Sequence, residues 1–148
     1  MQNILVAIDG LRGSEKALEA AVQQAQWMDG CITALAVLDN RGITALAFLD
    51  RSGDAESKRI LERASVQSRR RLEEALEAAV NFARSRGAQL TPVLREGHPA
   101  DTIIACGERE GASLVVLGSH NGDGRHAWLG GTADQVSSYA HCTVMLVK

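Results

Sequence analysis

Apolar positions along the chain keep two rhythms. Ile4 to Ile8 is an unbroken apolar run ending at Asp9-Gly10, and Ser14 opens a segment in which Leu18, Ala21, Ala25 and Met28 recur at helical spacing. This predicts strand, loop and helix. Gly30 is the expected helix stop, and Cys31 to Leu38, carrying Ile32, Leu35 and Val37, predicts a second strand of the kind buried on both faces. Asp39 to Asp54 mixes the apolar stretch Ile43 to Leu49 with turn chemistry at Asn40-Arg41-Gly42 and Arg51-Ser52-Gly53, and reads as an irregular flap. From Glu56 to Arg86, Leu61, Ala64, Leu72, Ala75, Ala79 and Phe82 form one stripe opposite many charges, which predicts one long amphipathic helix. Arg69-Arg70-Arg71 resembles a phosphate patch, but Glu73 and Glu74 follow at once and supply ion-pair partners, so a solvated face is the better reading.

A third strand spans Gln89 to Leu94. Pro92 within it cannot donate to a ladder, which places that strand at a sheet edge. A helix beginning near Pro99, a strand at Ser113 to Leu117, a glycine-rich loop, a helix from about Thr132 and a strand at Thr143 to Val147 follow. Strands alternating with helices require long crossovers, and right-handed crossovers give a parallel sheet with helices on both faces. The expected fold class is α/β, a single doubly wound five-stranded parallel sheet occupying residues 1–148 as one domain.

The candidate chemistry lies in the loop Gly118-Ser119-His120-Asn121-Gly122-Asp123-Gly124-Arg125-His126-Ala127-Trp128-Leu129-Gly130-Gly131-Thr132. Its five glycines permit close backbone approach, so N–H groups can line an anion nest backed by the following helix N-terminus. A plain flexible turn is the competing reading. No Gly-Lys-Ser or Gly-Lys-Thr closes the loop, and no Gly-x-Gly-x-x-Gly follows the first strand, so both common nucleotide fingerprints are missing.

Charge and composition narrow the classes further. Sixteen basic against 18 acidic side chains give a formal net charge of −2, which leaves no footprint for nucleic acid or an anionic membrane. Cys31, Cys106 and Cys142 lie in apolar stretches without metal-type spacing, as expected of buried thiols in a reducing compartment. No secretory pattern or membrane-length apolar run is present, so the expected location is the cytoplasm. His98, His120, His126 and His141 make no ligand pair at helical spacing, and no metal held by protein side chains is expected.

The loop resembles that of the universal stress protein family, whose nucleotide-binding members carry Gly-x2-Gly-x9-Gly-Ser/Thr between their last two strands. Gly118, Asn121, Gly131 and Thr132 hold that spacing, with Asn121 in place of the second glycine. The resemblance extends over Ala7-Ile8-Asp9-Gly10, Gly97-His98-Pro99, the strand ending at Leu117-Gly118, and His141-Cys142-Thr143-Val144. It implies an adenine nucleotide alpha hydrolase-like fold with strand order 3-2-1-4-5. It also implies ATP as ligand, with Mg²⁺ carried by the nucleotide. Asp9 and Val37 would meet the adenosine, and Gly118, Asn121, Gly131 and Thr132 the phosphates. Their neighbours Ala7, Ile8, Leu117, His120, Gly122 and Ala133 complete the expected contacts.

The implied role is a nucleotide-dependent stress or signalling sensor. A cyclic-nucleotide ligand, an interaction module without ATP, and a slow ATPase remain open. Catalysis would have to draw on His120, Arg125 or His126, and no nucleophile-and-base pair is evident. The last strand is apolar on both faces without an internal charge or proline. In the implied order it is an uncovered edge, which predicts a homodimer paired through it.

Overall fold

A computed structural model describes residues 1–39, 55–119 and 131–148. The elements are β1 (Gln2–Ala7), α1 (Arg12–Met28), β2 (Gly30–Leu38), α2 (Ala55–Ser85), β3 (Leu90–Glu96), α3 (Pro99–Arg109), β4 (Leu114–Gly118), α4 (Thr132–Tyr139) and β5 (Thr143–Val147). The five strands form one sheet in the order β3-β2-β1-β4-β5, and every neighbouring pair is parallel. The flap expected at Asp39 to Asp54 lies, from Asn40 onward, outside the described residues.

Side chains leave a strand alternately to either side, so each central strand feeds two cores. Ile4 and Val6 of β1, Ile32, Ala34 and Ala36 of β2, and Leu114 and Val116 of β4 pack beneath α1 and α2. Leu5, Leu35, Val115 and Leu117 point the other way, toward Ala100 and Ile103 of α3 and Val136 of α4. Continuous apolar runs such as Ile4-Leu5-Val6 are what a strand covered on both faces requires. Pro92 lies on β3 at one edge, where its missing N–H breaks no ladder, and β5 forms the opposite edge.

Strand ends move by at most two residues from the sequence expectation, and both ends of α1 differ for local reasons. Helix α1 begins at Arg12 rather than Ser14, because Asp9 Oδ1 accepts from the Leu11 N–H at 2.8 Å and turns the chain early. The helix then stops at Asp29, which takes the left-handed C-cap conformation (φ 51°), and Gly30 already belongs to β2. Gly30 is needed there for space: a Cβ would stand 2.8 Å from the Gln2 carbonyl oxygen.

Candidate functional site

Parallel winding carries every strand's carboxyl end, and so every helix N-terminus, to one edge of the sheet. The central crevice of such an edge is where ligands bind in open α/β folds. A cleft of about 180 Å³ opens there, where β1 gives way to β2 on one side and β4 on the other. Ala7, Ile8 and Asp9 line it from β1 and its turn, Leu35 and Val37 from β2, and Leu117, Gly118 and Ser119 from β4. The N-terminal turns of three helices complete it through Ser14 of α1, Pro99 of α3, and Gly131, Thr132 and Ala133 at α4, with Ile103 of α3 below.

Nine of the residues named from the sequence therefore meet in one cavity: Ala7, Ile8, Asp9, Val37, Leu117, Gly118, Gly131, Thr132 and Ala133. His120, Asn121 and Gly122 lie outside the described residues. The cleft also takes in Ser14, Leu35, Pro99, Ile103 and Ser119, which the sequence reading did not select. Leu35 and Ile103 carry no signal that separates a cleft floor from ordinary core. Ser119 offered one, a hydroxyl directly after the glycine that ends β4.

The electrostatics come from the backbone. Asp9 is the only ionisable side chain among the described lining residues, while three helix N-termini present the positive ends of their dipoles. The N-cap of α4 is Gly131, in extended conformation (φ −76°, ψ 169°), and it brings no side chain to satisfy the first-turn N–H groups. The α3 terminus differs, because His98 Nδ1 accepts from the Asp101 N–H at 3.4 Å. Like Gly131, the α1 N-cap Leu11 offers no side-chain bond, so the termini of α1 and α4 are the positive ends left open to an anion.

Ser119 divides its polar groups. Its N–H donates to the Val147 carbonyl at 2.9 Å and extends the β4–β5 ladder, so that donor is spent on the sheet. Its Oγ is buried and has no hydrogen-bond partner among the described residues. A buried hydroxyl without a partner costs about 1–3 kcal/mol, and a polar ligand group in the cleft would remove that cost. Gly118 has a different reason to be glycine from the flexibility expected of the loop. Its φ is not positive, but a Cβ there would come within 2.7 Å of the Gly13 carbonyl group.

The thiols lie elsewhere. Cys106 and Cys142 pack in the core beneath α3 and α4, and neither lines the cleft. Burial, with a smaller contribution from Glu110, pushes the Cys106 thiol up, and burial does the same at Cys142. All three cysteines are free.

The sequence model of the universal stress protein family matches residues 1–148, and the chain belongs to that family. Universal stress protein YxiE of Bacillus subtilis (strain 168) is 28% identical over 151 residues, covering 98% of this chain and 97% of its own. Among solved structures, UspA of Lactobacillus plantarum superposes with a TM-score of 0.81 at 23% identity over 99% of this chain and 97% of its own. The universal stress protein of Archaeoglobus fulgidus in complex with dAMP gives 0.70 at 21% identity, covering 100% and 98%. A universal stress protein in complex with cAMP gives 0.68 at 18% identity, covering 99% and 95%. The three structures share this fold, and two of them are complexes with adenine nucleotides.

Proposed function

We propose that the chain binds an adenine nucleotide in the carboxyl-edge cleft and works as a nucleotide-dependent sensor, with ATP as the ligand and Mg²⁺ carried on its phosphates. The observation that carries this reading is a buried Ser119 hydroxyl, without a partner among the described residues, lining the same cleft as the uncapped α4 terminus, Asp9 and Val37. Asp9 Oδ1 is committed to the Leu11 N–H, which leaves the other carboxylate oxygen to accept from a ribose hydroxyl or the adenine amine. Leu35, Val37 and Ile103 give the base an apolar bed. At about 180 Å³ the cavity is smaller than a typical whole-ligand pocket, so it would enclose the nucleoside while the phosphates run toward α4 and the loop.

Hydrolysis is a poor use of this cleft. Asp9 is its one ionisable side chain among the described residues and is already turned into the α1 entry, so a base would have to come from the loop. A second reading, a cyclic nucleotide, is favoured by the cAMP complex of a similar protein. The chain also pairs through β5 as a cytoplasmic homodimer in this account.

Calorimetry with Mg-ATP, AMP and cAMP tests the assignment. Saturable binding of Mg-ATP that Gly131→Val abolishes in a folded variant supports it, because a β-branched side chain would stand where backbone must approach phosphate. Tighter binding of cAMP selects the second reading, and no binding of any of the three refutes both.

A further inference from the structure

A larger cavity, about 550 Å³, lies between α1 and α2, away from most of the cleft described above. That volume falls inside the range of roughly 300–1,000 Å³ common to small-molecule sites. Its floor and walls are carbon, from Ile8, Leu18, Ala75, Ala79 and Phe82. Ala75, Ala78 and Ala79 on the α2 wall put only methyl groups into the gap between the helices. At one end the β1–α1 turn meets α2, since a Cβ on Gly10 would sit 3.7 Å from both Ala75 Cβ and Arg71 Cγ.

The charged residues of the cavity are asymmetric. Glu15 and Glu19 reach it from α1, and Glu74 and Arg71 from α2. All four are exposed, and none of them makes an ion pair with another described residue. Three carboxylates against one guanidinium set a negative mouth over an apolar floor. A ligand that gains from both parts combines an apolar body, drawn to the floor, with a cation held at the mouth.

We infer that the α1–α2 cleft is a second ligand site, which takes an organic cation with an apolar body, such as an aryl-alkyl amine. It does not rest on the nucleotide reading. Among the described residues the two cavities share Ile8 and Ser14 alone, so their occupancy is separable at residues unique to each.

The test uses the full ¹⁵N-labelled chain and two probes with the same body and opposite heads, 4-phenylbutylamine and 4-phenylbutanoate. The amine is expected to shift the Leu18, Ala75, Ala78 and Phe82 amides saturably, with the carboxylate weaker by roughly tenfold, the sum expected of several exposed charge pairs. Ala78→Leu, at an exposed position lining the cleft, should remove the amine response while keeping a dispersed spectrum. Glu15→Gln combined with Glu74→Gln should erase the preference between the two probes. Equal binding of amine and carboxylate, shifts that avoid these amides, or no saturation would each overturn the site. So would nuclear Overhauser contacts showing that side chains of residues 43–49 fill the cleft. Unaltered nucleotide binding in Ala78→Leu separates a failure here from a failure of the carboxyl-edge site.

Discussion

A Cβ on Gly118 would stand 2.7 Å from both the carbonyl carbon and the carbonyl oxygen of Gly13, so the end of β4 and the first turn of α1 touch backbone to backbone. This contact holds the α1 entry against the strand that leads into the loop, and it brings Ser14 and Ser119 into one cavity. Gly118→Ala cannot be absorbed by a flexible side chain, because the obstructing atoms are main chain. It should cost about 1–3 kcal/mol of stability and weaken nucleotide binding as well. Urea unfolding and calorimetry on the same variant check both, and an Ala variant equal to the parent in both would contradict the contact.

Ser119→Ala should separate stability from binding. The unliganded protein loses a hydroxyl that has no partner among the described residues, so its urea midpoint should stay level or rise. Affinity for nucleotide should fall by roughly ten- to a hundredfold if that hydroxyl meets a charged phosphate oxygen. A variant that is destabilised yet binds normally would mean that the hydroxyl serves the fold.

Much of this architecture was legible because its cause is local. Ile4-Leu5-Val6 and Leu114-Val115-Val116-Leu117 are apolar on both faces because α1 and α2 cover one side and α3 and α4 the other. Pro92 marked its own edge. Strand order was not contained in periodicity and came from the family resemblance. The α1 start was misplaced because Asp9, two residues before Leu11, caps the turn through a side-chain bond that no hydrophobic pattern records. At the cleft, Asp9 and Gly118 were readable as turn and loop chemistry. Leu35 and Ile103 were not, since only the convergence of β2 and α3 turns them from core into lining.

The β5 edge makes the assembly testable. Leu146 is 43% exposed, and Val144 and Met145 are only partly buried. Met145→Lys with Val147→Pro should turn a homodimer into monomers in light scattering while nucleotide binding, made within one chain, survives. A parent protein that is monomeric at micromolar concentration would remove the dimer from the account.

Cys106 should leave a signature at alkaline pH. Its thiol is raised by burial, so the native state keeps a proton that the unfolded chain releases in the ordinary thiol range. The unfolded state then binds fewer protons, and stability falls as pH climbs through that range. Cys106→Ala should flatten the decline relative to the parent in urea titrations between about pH 7 and 10. Parallel declines in the two proteins would show that the thiol does not contribute.

Backbone amide shifts of the ¹⁵N-labelled chain titrated with Mg-ATP test the central claim most directly. The account predicts saturable shifts at Asp9, Val37, Ser119, Thr132 and Ala133, the walls of the carboxyl-edge cleft, with Ala78 and Phe82 unmoved. An absence of saturation at millimolar nucleotide, or shifts confined to the α1–α2 cleft, would contradict it.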